Sequence, residues 1–351
     1  MTLGSARSAP SVADLQASTL GETLPGCEAV GKGRRSGFRL KGTEVRIAVL
    51  IALMVLFSLT SEYFLTATNL TNILLAASVV GIIACAQTLL LVAAQVDISV
   101  GSGVAFAAAV FAVLFHEAGV TAAIVGAFVA ALFVQIVNIT AIVHFRVSSI
   151  IATLATQIAF RGAAKLVLDG RAVAVHDFGF IGQTRLTILG FAIPFAVLVL
   201  AFVAAFFYVV MRYIQYGQHM YAIGANSRAA RLAGISLERN VVIAFVLSGC
   251  TVAIATLILV SQNGVVDPTT GERLEFLALT GVMIGGASLY GGKGSVIGTL
   301  IAILILAVFD NGLVLLQVPS FYQEVFRGAL LLAAVIFDQL QHRTREVRMR
   351  I

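Results

Sequence analysis

Long apolar runs alternate with short polar segments along most of the chain. The stretches Tyr63–Val96, Ala118–Val143, Leu186–Met211 and Asn240–Val266 contain no Asp, Glu, Lys or Arg. Each is long enough for a membrane-spanning helix of about 20 residues. The pattern predicts an all-α, polytopic transmembrane helix bundle of about ten spans. Their approximate bounds are 46–62, 73–94, 98–115, 119–143, 148–168, 187–211, 241–262, 276–291, 295–317 and 321–339.

The composition agrees with a protein that works inside a bilayer. Hydrophobic residues make up 59% of the 351 residues and charged residues 11%, whereas a soluble domain carries about 25% charged residues. This excludes a water-soluble enzyme. Residues 1–45 combine Ser, Gly, Pro and scattered charge, which predicts a disordered cytoplasmic tail. Residues 340–351 are assigned to a second cytoplasmic tail.

The basic residues predict the orientation in the membrane. With both termini inside, seventeen of the 23 Lys and Arg residues fall on the cytoplasmic side, as the positive-inside rule requires. The same orientation places the 212–240 loop in the cytoplasm. The net charge of +6 is therefore interpreted as orientation charge, and no nucleic-acid partner is predicted.

The residues that support catalysis or metal binding in other proteins are scattered. The three Cys residues lie far apart, and the five His residues show no HxxxH or HExxH spacing. We therefore predict no catalytic residue, no metal site and no disulfide framework. A membrane-embedded enzyme would need a converging acid–base or metal constellation, so that alternative is disfavoured.

A short helix outside the membrane is predicted in the 212–240 loop. Asn226 or Ser227 suits the N-cap, good helix formers follow, and Gly234 suits the position after the helix. A small apolar surface predicts docking into a groove of another protein; a membrane-surface helix held by anionic lipid is the open alternative. The candidate docking residues are Asn226, Ser227, Arg228, Ala229, Ala230, Arg231, Leu232 and Gly234.

Two acidic residues interrupt apolar surroundings. A carboxylate in hydrocarbon costs about 2.5–3.5 kcal/mol on insertion scales, so each should face protein or water. The Asp97-x-Ser99 order, followed by Gly101, favours a structural role in which the carboxylate accepts from the Ser99 hydroxyl and caps the third span. For Asp310 and the adjacent Asn311, lining of a solute pathway and inter-helix hydrogen bonding both remain open.

Further polar side chains within the spans have the same two interpretations. Gln87, Asn138, Thr153 and Thr156 are candidates for a route taken by a polyhydroxy solute, or for hydrogen bonds between helices. Glu324 and Arg327 are three residues apart and are expected to pair on one helix face. A dense group of glycines indicates close packing or a helix break; it comprises Gly285, Gly286, Gly291, Gly292 and Gly294.

Four blocks in order resemble one protein family. Tyr221–Ile235 is similar to the cytoplasmic loop of the bacterial sugar-type ABC importer permeases, the ribose, xylose and galactose group. Ala94–Gly101, Ser149–Thr156 and Gly285–Thr299 resemble further blocks of that family. The chain departs from the family pattern at Ala94-Gln95, at Ser148-Ser149 and at Asp310.

The resemblance implies a multi-pass permease subunit of the bacterial inner membrane. In such importers two permease subunits form the pathway, cytoplasmic ABC ATPases use ATP and Mg, and a periplasmic solute-binding protein delivers the solute. Residues 46–339 would be the permease domain, and the 212–240 loop would couple it to the ATPase. The chain has no Walker-type Gly-x-x-x-x-Gly-Lys-Ser/Thr segment, so no cofactor is expected on this chain.

The resemblance favours a monosaccharide or related polyol as solute, with the furanone autoinducer-2 as another possibility. Whether the second permease is an identical copy or a similar subunit stays open. The main functional alternative is a proton- or sodium-coupled secondary carrier that uses Asp310. Such a carrier would need no partner ATPase.

Overall fold

The structure, a computed structural model, describes residues 42–176, 178–179, 184–188 and 191–349. Most of these residues are helical, which confirms the all-α class. The helices are α1 (Gly42–Thr60), α2 (Ala67–Val92), α3 (Val100–Ile139), α4 (Ser149–Val167), α5 (Phe195–Tyr213), α6 (Gln215–Ala225), α7 (Ser227–Leu232), α8 (Leu237–Asn263), α9 (Leu274–Ile284), α10 (Val296–Leu315) and α11 (Ser320–Met349), and α3 continues into a π-helical turn, Thr140–His144.

Helix α3 folds back on itself at Gly119, whose φ of 84° and ψ of 176° are not helical. The Asn138 side chain donates to Ser99 Oγ at 2.7 Å, although 39 residues of straight helix would separate them by about 58 Å. A side chain added at Gly126 would also collide with Leu114. The two legs of α3 therefore match the two spans predicted around residues 116–118.

Helix α9 is shorter than predicted. It ends at Ile284 and not at residue 291, because Gly286 adopts a φ of +93° that turns the chain out of the helix. Its eleven residues reach about 16 Å, roughly half the hydrocarbon thickness of about 30 Å. The glycine group therefore marks a helix break.

Helix α5 begins later than predicted, at Phe195 and not at residue 187. Pro194 occupies its N-cap with extended backbone angles, and the residue before a proline is itself disfavoured in the helical region. Two short strands precede the helix and pair antiparallel, β2 (Arg185–Ile188) and β3 (Phe191–Pro194). A second antiparallel pair joins β1 (Val173–Ala174) to β4 (Val265–Val266).

Both ends of the helical region extend beyond the predicted bounds. Helix α1 begins at Gly42, inside the segment assigned to the amino-terminal tail, and residues 1–41 lie outside the described residues. Helix α11 continues to Met349 through the predicted carboxyl-terminal tail. Its last turns contain no Gly or Pro and are rich in Gln and Arg, which are good helix formers.

The core of the bundle is built around α2. This helix packs against α5, α8, α9 and α10, and nearly every residue from Ser78 to Val92 is buried. Helix α8 joins it to the α3 hairpin. By contrast, α1 and α11 bury little of their surface within the chain, so their apolar side chains remain available to lipid or to another subunit.

Eight described helical segments are long and apolar enough to cross a membrane, and α9 is a shorter apolar helix. One of the eight, Val100–His144, contains both legs of the α3 hairpin. The polytopic bundle is therefore confirmed, and the inward orientation of both termini stays a prediction.

Candidate functional site

The loop between α2 and α3 places Asp97 at the centre of a buried polar cluster. Asp97 Oδ1 accepts from the Ser99 amide at 2.9 Å and from the Ser99 hydroxyl at 2.6 Å, the contacts expected from the Asp-x-Ser order. Oδ2 accepts from Gln135 Nε2 at 2.8 Å and from the Ser248 hydroxyl at 3.1 Å. One carboxylate thus joins both legs of α3 to α8.

Four of the predicted pathway residues surround this cluster. Asn138 donates to Ser99 Oγ and accepts from the Thr156 hydroxyl at 2.6 Å. Gln87 donates to the Asp97 carbonyl at 2.7 Å, and Thr153 donates to the Val96 carbonyl at 3.3 Å. All four predicted residues are buried, so in this conformation their polar groups connect helices.

A second polar cluster lies between α4 and α9. Glu275 is buried and its Oε1 accepts from Gln157 Nε2 at 2.8 Å. Gln157 Oε1 accepts in turn from the Ser102 amide at 3.0 Å. Arg161 of α4 donates to the Thr270 carbonyl at 2.8 Å and to the Gly271 carbonyl at 3.3 Å, so this cation lies against backbone oxygens.

Asp310 and Asn311 lie on α10 at the edge of a cavity of about 400 Å³. Arg327 of α11 donates to Asp310 Oδ1 at 2.9 Å. The Asn311 and Asn69 amides bond reciprocally, at 2.9 Å and 2.7 Å. The cavity is lined by Asn72, Ile73, Ala76, Ala77, Val80, Leu277, Ile303, Leu306, Ala307, Asp310, Asn311, Val314 and Arg327.

The prediction that Glu324 and Arg327 pair with each other is wrong. Arg327 bonds to Asp310, and Glu324 forms an ion pair with Arg273 at 2.7 Å. The spacing of three residues allowed a contact along α11, but Arg273, which directly precedes α9, and Asp310 of α10 supply the oppositely charged partners. Two ion pairs therefore tie α11 to the rest of the bundle.

The predicted helix in the 212–240 loop is present as α7. The Asn226 side chain caps it by accepting from the Arg228 and Ala229 amides at 3.1 and 3.0 Å. Gly234 follows the helix with a φ of +82°, a left-handed conformation that glycine adopts readily. Among the candidate docking residues all but Ala230 are exposed, including Ser227, Arg228, Ala229, Arg231, Leu232 and Gly234.

Ala230 points into the chain and not toward a partner. It is buried within the core cluster, whereas Leu232 is 90% exposed. The expected apolar docking surface is therefore centred on Leu232. A bulky substitution at Ala230 would disturb the packing of the loop itself.

The glycine group connects this loop to the membrane helices. The Gly292 amide donates to the Val92 carbonyl at the end of α2, at 2.8 Å. A side chain on Gly224 would collide with that same carbonyl and with the Gly292 amide. Tyr221 donates its hydroxyl to the Gly294 carbonyl at 2.9 Å, and burial raises the pKa of this phenol.

This junction brings three predicted segments into direct backbone contact: the 212–240 loop, the Gly285–Thr299 block and the end of α2, which runs into the Asp97 loop. Backbone contacts therefore link α6 to the end of α2 without an intervening side chain. A Cβ atom on Gly224 cannot be accommodated against the Val92 and Gly292 backbone, which explains the glycine at this position.

The comparison with protein families decides the class of the molecule. The family model described as the permease component of the branched-chain amino acid transport system matches residues 69–335. The chain belongs to this family of membrane transport permeases. The permease subunit predicted from the four sequence blocks is thereby confirmed, as are its inner-membrane location and its role as a transport component rather than an enzyme.

Curated relatives cover most of the permease. The L-arabinose ABC transporter permease protein AraH of Azospirillum brasilense is 34% identical over 300 residues, 85% of this chain and 88% of the relative. The ribose import permease protein RbsC of Bacillus subtilis is 35% identical over 293 residues, 83% and 90% of the two chains. The D-allose transport system permease protein AlsC of Escherichia coli is 31% identical, covering 85% and 91%. No solved structure matches the permease.

Several residues of the polar clusters were absent from the sequence-based prediction. Gln135 and Ser248 are isolated polar residues within apolar runs, the same signal that identified Asn138. Glu275 lies in the first turn of α9. An acidic residue is common in the first turn of a helix, so this position carries no special signal in the sequence. Only the packing of α9 on α3, together with the Gln157 side chain of α4, reveals that the Glu275 carboxylate is buried.

Proposed function

We propose that this permease is the membrane-spanning subunit of an ATP-driven importer that carries a small polyhydroxy solute, a monosaccharide or related polyol, from the periplasm to the cytoplasm. A periplasmic solute-binding protein delivers the solute, and cytoplasmic ABC ATPases supply the energy. The single observation that carries the proposal is the capped helix α7, which presents Leu232 to solvent beside Arg228 and Arg231.

The geometry of α7 supports docking onto another protein. An exposed leucine beside two arginines on a capped helix offers an apolar side chain with basic neighbours, and arginine is enriched at protein interfaces. The buried Ala230 fixes the helix to the permease, so a force on α7 reaches α6. The glycine junction then passes that force to α2, whose carboxyl end leads into the Asp97 loop.

The substrate class rests on the relatives. AraH, RbsC and AlsC are named for L-arabinose, ribose and D-allose, and each aligns with more than four fifths of this permease. Although the family model is described by branched-chain amino acid transport, these relatives favour a sugar. A second permease, identical or similar, completes the pathway, as the sparsely buried faces of α1 and α11 allow.

The secondary-carrier alternative gains no support from Asp310. A coupling carboxylate in such carriers binds and releases a proton or sodium ion, whereas Arg327 already supplies a counter-ion at 2.9 Å. The carrier also gives no role to an exposed leucine on a capped loop helix.

The test replaces Leu232 with glutamate in the assembled importer. Burying an unpaired charge in a docking groove is unfavourable, so Leu232→Glu should abolish ATPase capture and monosaccharide uptake while membrane insertion stays normal. Arg239→Glu is the matched control, because Arg239 is also exposed on this loop but lies outside α7.

An Arg228→Ala/Arg231→Ala double variant separates docking on protein from binding to lipid. A membrane-surface helix would depend mainly on these two positive charges and would be indifferent to the ATPase. Normal ATPase capture and uptake by Leu232→Glu would refute the coupling role of α7.

A further inference from the structure

The cavity between α2, α9, α10 and α11 has the composition of a site for a neutral polyhydroxy solute. Its volume of about 400 Å³ lies within the range of about 300–1,000 Å³ typical of small-molecule sites. The polar groups of the cavity are Asn72, Asp310, Asn311 and Arg327, and the remainder of the lining is apolar. Such a mixture suits a sugar, which presents hydroxyl groups at its edge and C–H groups on its faces.

The charges in the cavity favour a neutral solute over an ion. Asp310 and Arg327 form an ion pair at 2.9 Å, so the charged groups of the lining cancel. A charged solute would have to compete with this pair, whereas hydroxyl groups can add to it. The carboxylate retains acceptor capacity at Oδ2 and the guanidinium has further N–H donors beyond Nε.

One amide is available for a solute without loss of an existing contact. Within the described part of the chain, no hydrogen bond is made by the side chain of Asn72, which is exposed on α2 one turn from Asn69. Asn69 and Asn311 by contrast satisfy each other. Asn72 therefore adds a donor and an acceptor to the part of the cavity wall that α2 forms.

Arg327 also faces a second space. A cavity of about 340 Å³ shares the lining residues Arg327 and Leu277 with the first. Glu324 and Arg273, which pair with each other at 2.7 Å, line that second cavity. Arg327 therefore borders two cavities along the α9–α11 interface.

We propose that the cavity formed by Asn72, Asp310, Asn311 and Arg327 is a solute-selecting subsite of the permease itself, which binds a neutral monosaccharide or polyol by its hydroxyl groups. This inference rests on the proposed function for its substrate class. It adds that selection does not reside in the solute-binding protein alone. The ion pair accepts and donates to the solute, and the Ile73–Ala77 wall contacts its C–H face.

A direct binding measurement on the purified permease tests the subsite without its partners. The probes are ribose, L-arabinose, D-allose and xylose, each followed by saturation-transfer NMR on the full chain in nanodiscs. Asn72→Ala removes one uncharged hydrogen-bonding group and should weaken binding about two- to tenfold. Ala76→Phe fills the cavity and should abolish the signal.

Two matched controls lie away from the cavity. Ala205→Phe adds the same bulk to an exposed position of α5, and Asn263→Ala removes an exposed amide at the end of α8. Both should leave binding unchanged. Absence of binding by the unmodified permease, a signal that persists in Ala76→Phe, or an equal loss in Ala205→Phe would overturn the subsite.

Uptake by the assembled importer distinguishes the two proposals. If the importer carries one of the four sugars and Asn72→Ala and Ala76→Phe leave both KM and rate unchanged, the subsite is wrong and the proposed function stands. If the unmodified importer carries none of the four, the proposed substrate class fails and the subsite fails with it. A raised KM in Asn72→Ala supports both.

Discussion

Replacing Asp97 with asparagine should destabilise the helix bundle, because the carboxylate serves as the acceptor for four donors. Its Oδ1 receives the Ser99 amide and hydroxyl, and its Oδ2 receives Gln135 Nε2 and the Ser248 hydroxyl. An asparagine keeps one acceptor oxygen and presents an NH2 group in place of the other. The NH2 group then faces either the Ser99 donors or the pair on Gln135 and Ser248.

The loss follows from the connectivity of the cluster. Flipping the Gln135 amide would restore its contact with the new NH2 group, but Gln135 Oε1 already accepts from Asn138 Nδ2 at 3.1 Å. One buried donor is therefore left without an acceptor. A hydrogen bond to a charged group contributes about 1.5–3 kcal/mol, and an unsatisfied buried donor costs about 1–3 kcal/mol.

A neutral amide is less costly to bury than a carboxylate, which offsets part of this loss. We expect a net destabilisation of about 2–4 kcal/mol, measured as an earlier midpoint when the detergent-purified permease is unfolded with SDS and followed by circular dichroism. Ser248→Ala removes only the 3.1 Å contact and should cost about 1–2 kcal/mol. Unchanged stability of Asp97→Asn together with lost transport would refute the structural role and place Asp97 in the transport cycle.

Three further outcomes are expected. Gly224→Val should separate the 212–240 loop from α2, because a Cβ at this position meets the Val92 carbonyl. The variant should insert into the membrane, but it should lose uptake and be cleaved more readily by trypsin within the loop. Protease resistance equal to that of the wild type would contradict this. Single cysteines can be placed at the exposed positions Ser227 and Thr269 in a background without native cysteines. In intact cells an impermeant reagent should label only the cysteine at position 269. Labelling at position 227 would contradict the predicted topology. The Thr269 hydroxyl, which donates to Asp267, holds the pKa of that carboxyl below its usual range. The turn should therefore be intact above about pH 4, the pKa of an aspartate in the unfolded chain, and it should weaken as the pH falls through the lowered pKa. Carboxyl carbon NMR titration should give an ordinary midpoint if this hydrogen bond does not form.

The apolar periodicity was sufficient to determine the class of fold and most helix positions. Runs such as Asn240–Val266 have only one low-energy arrangement in hydrocarbon, because a lipid-exposed backbone must satisfy its own hydrogen bonds within a helix. The cap at Asn226 and the turn at Gly234 could also be predicted from the sequence, because capping depends on residues that are neighbours in the chain. The four family blocks added the identity of the permease.

Helix ends that depend on the backbone conformation of a single residue were harder to predict from the sequence. Gly286 ends α9 early, and Pro194 delays the start of α5 behind a strand pair. The apolar pattern continues through both points, so hydrophobicity alone gave helices that were too long. Each boundary is set by φ and ψ angles, which hydropathy does not encode.

The tertiary structure alone decided which side chains meet. Sequence spacing paired Glu324 with Arg327, whereas helix packing gave each a partner outside α11. It likewise turned Ala230 inward and left Leu232 exposed, although both are apolar residues of one short helix. Partner choice of this kind depends on the rotation of each helix about its axis and on contacts between residues far apart in the chain. These are consequences of the packed bundle and not of any local segment.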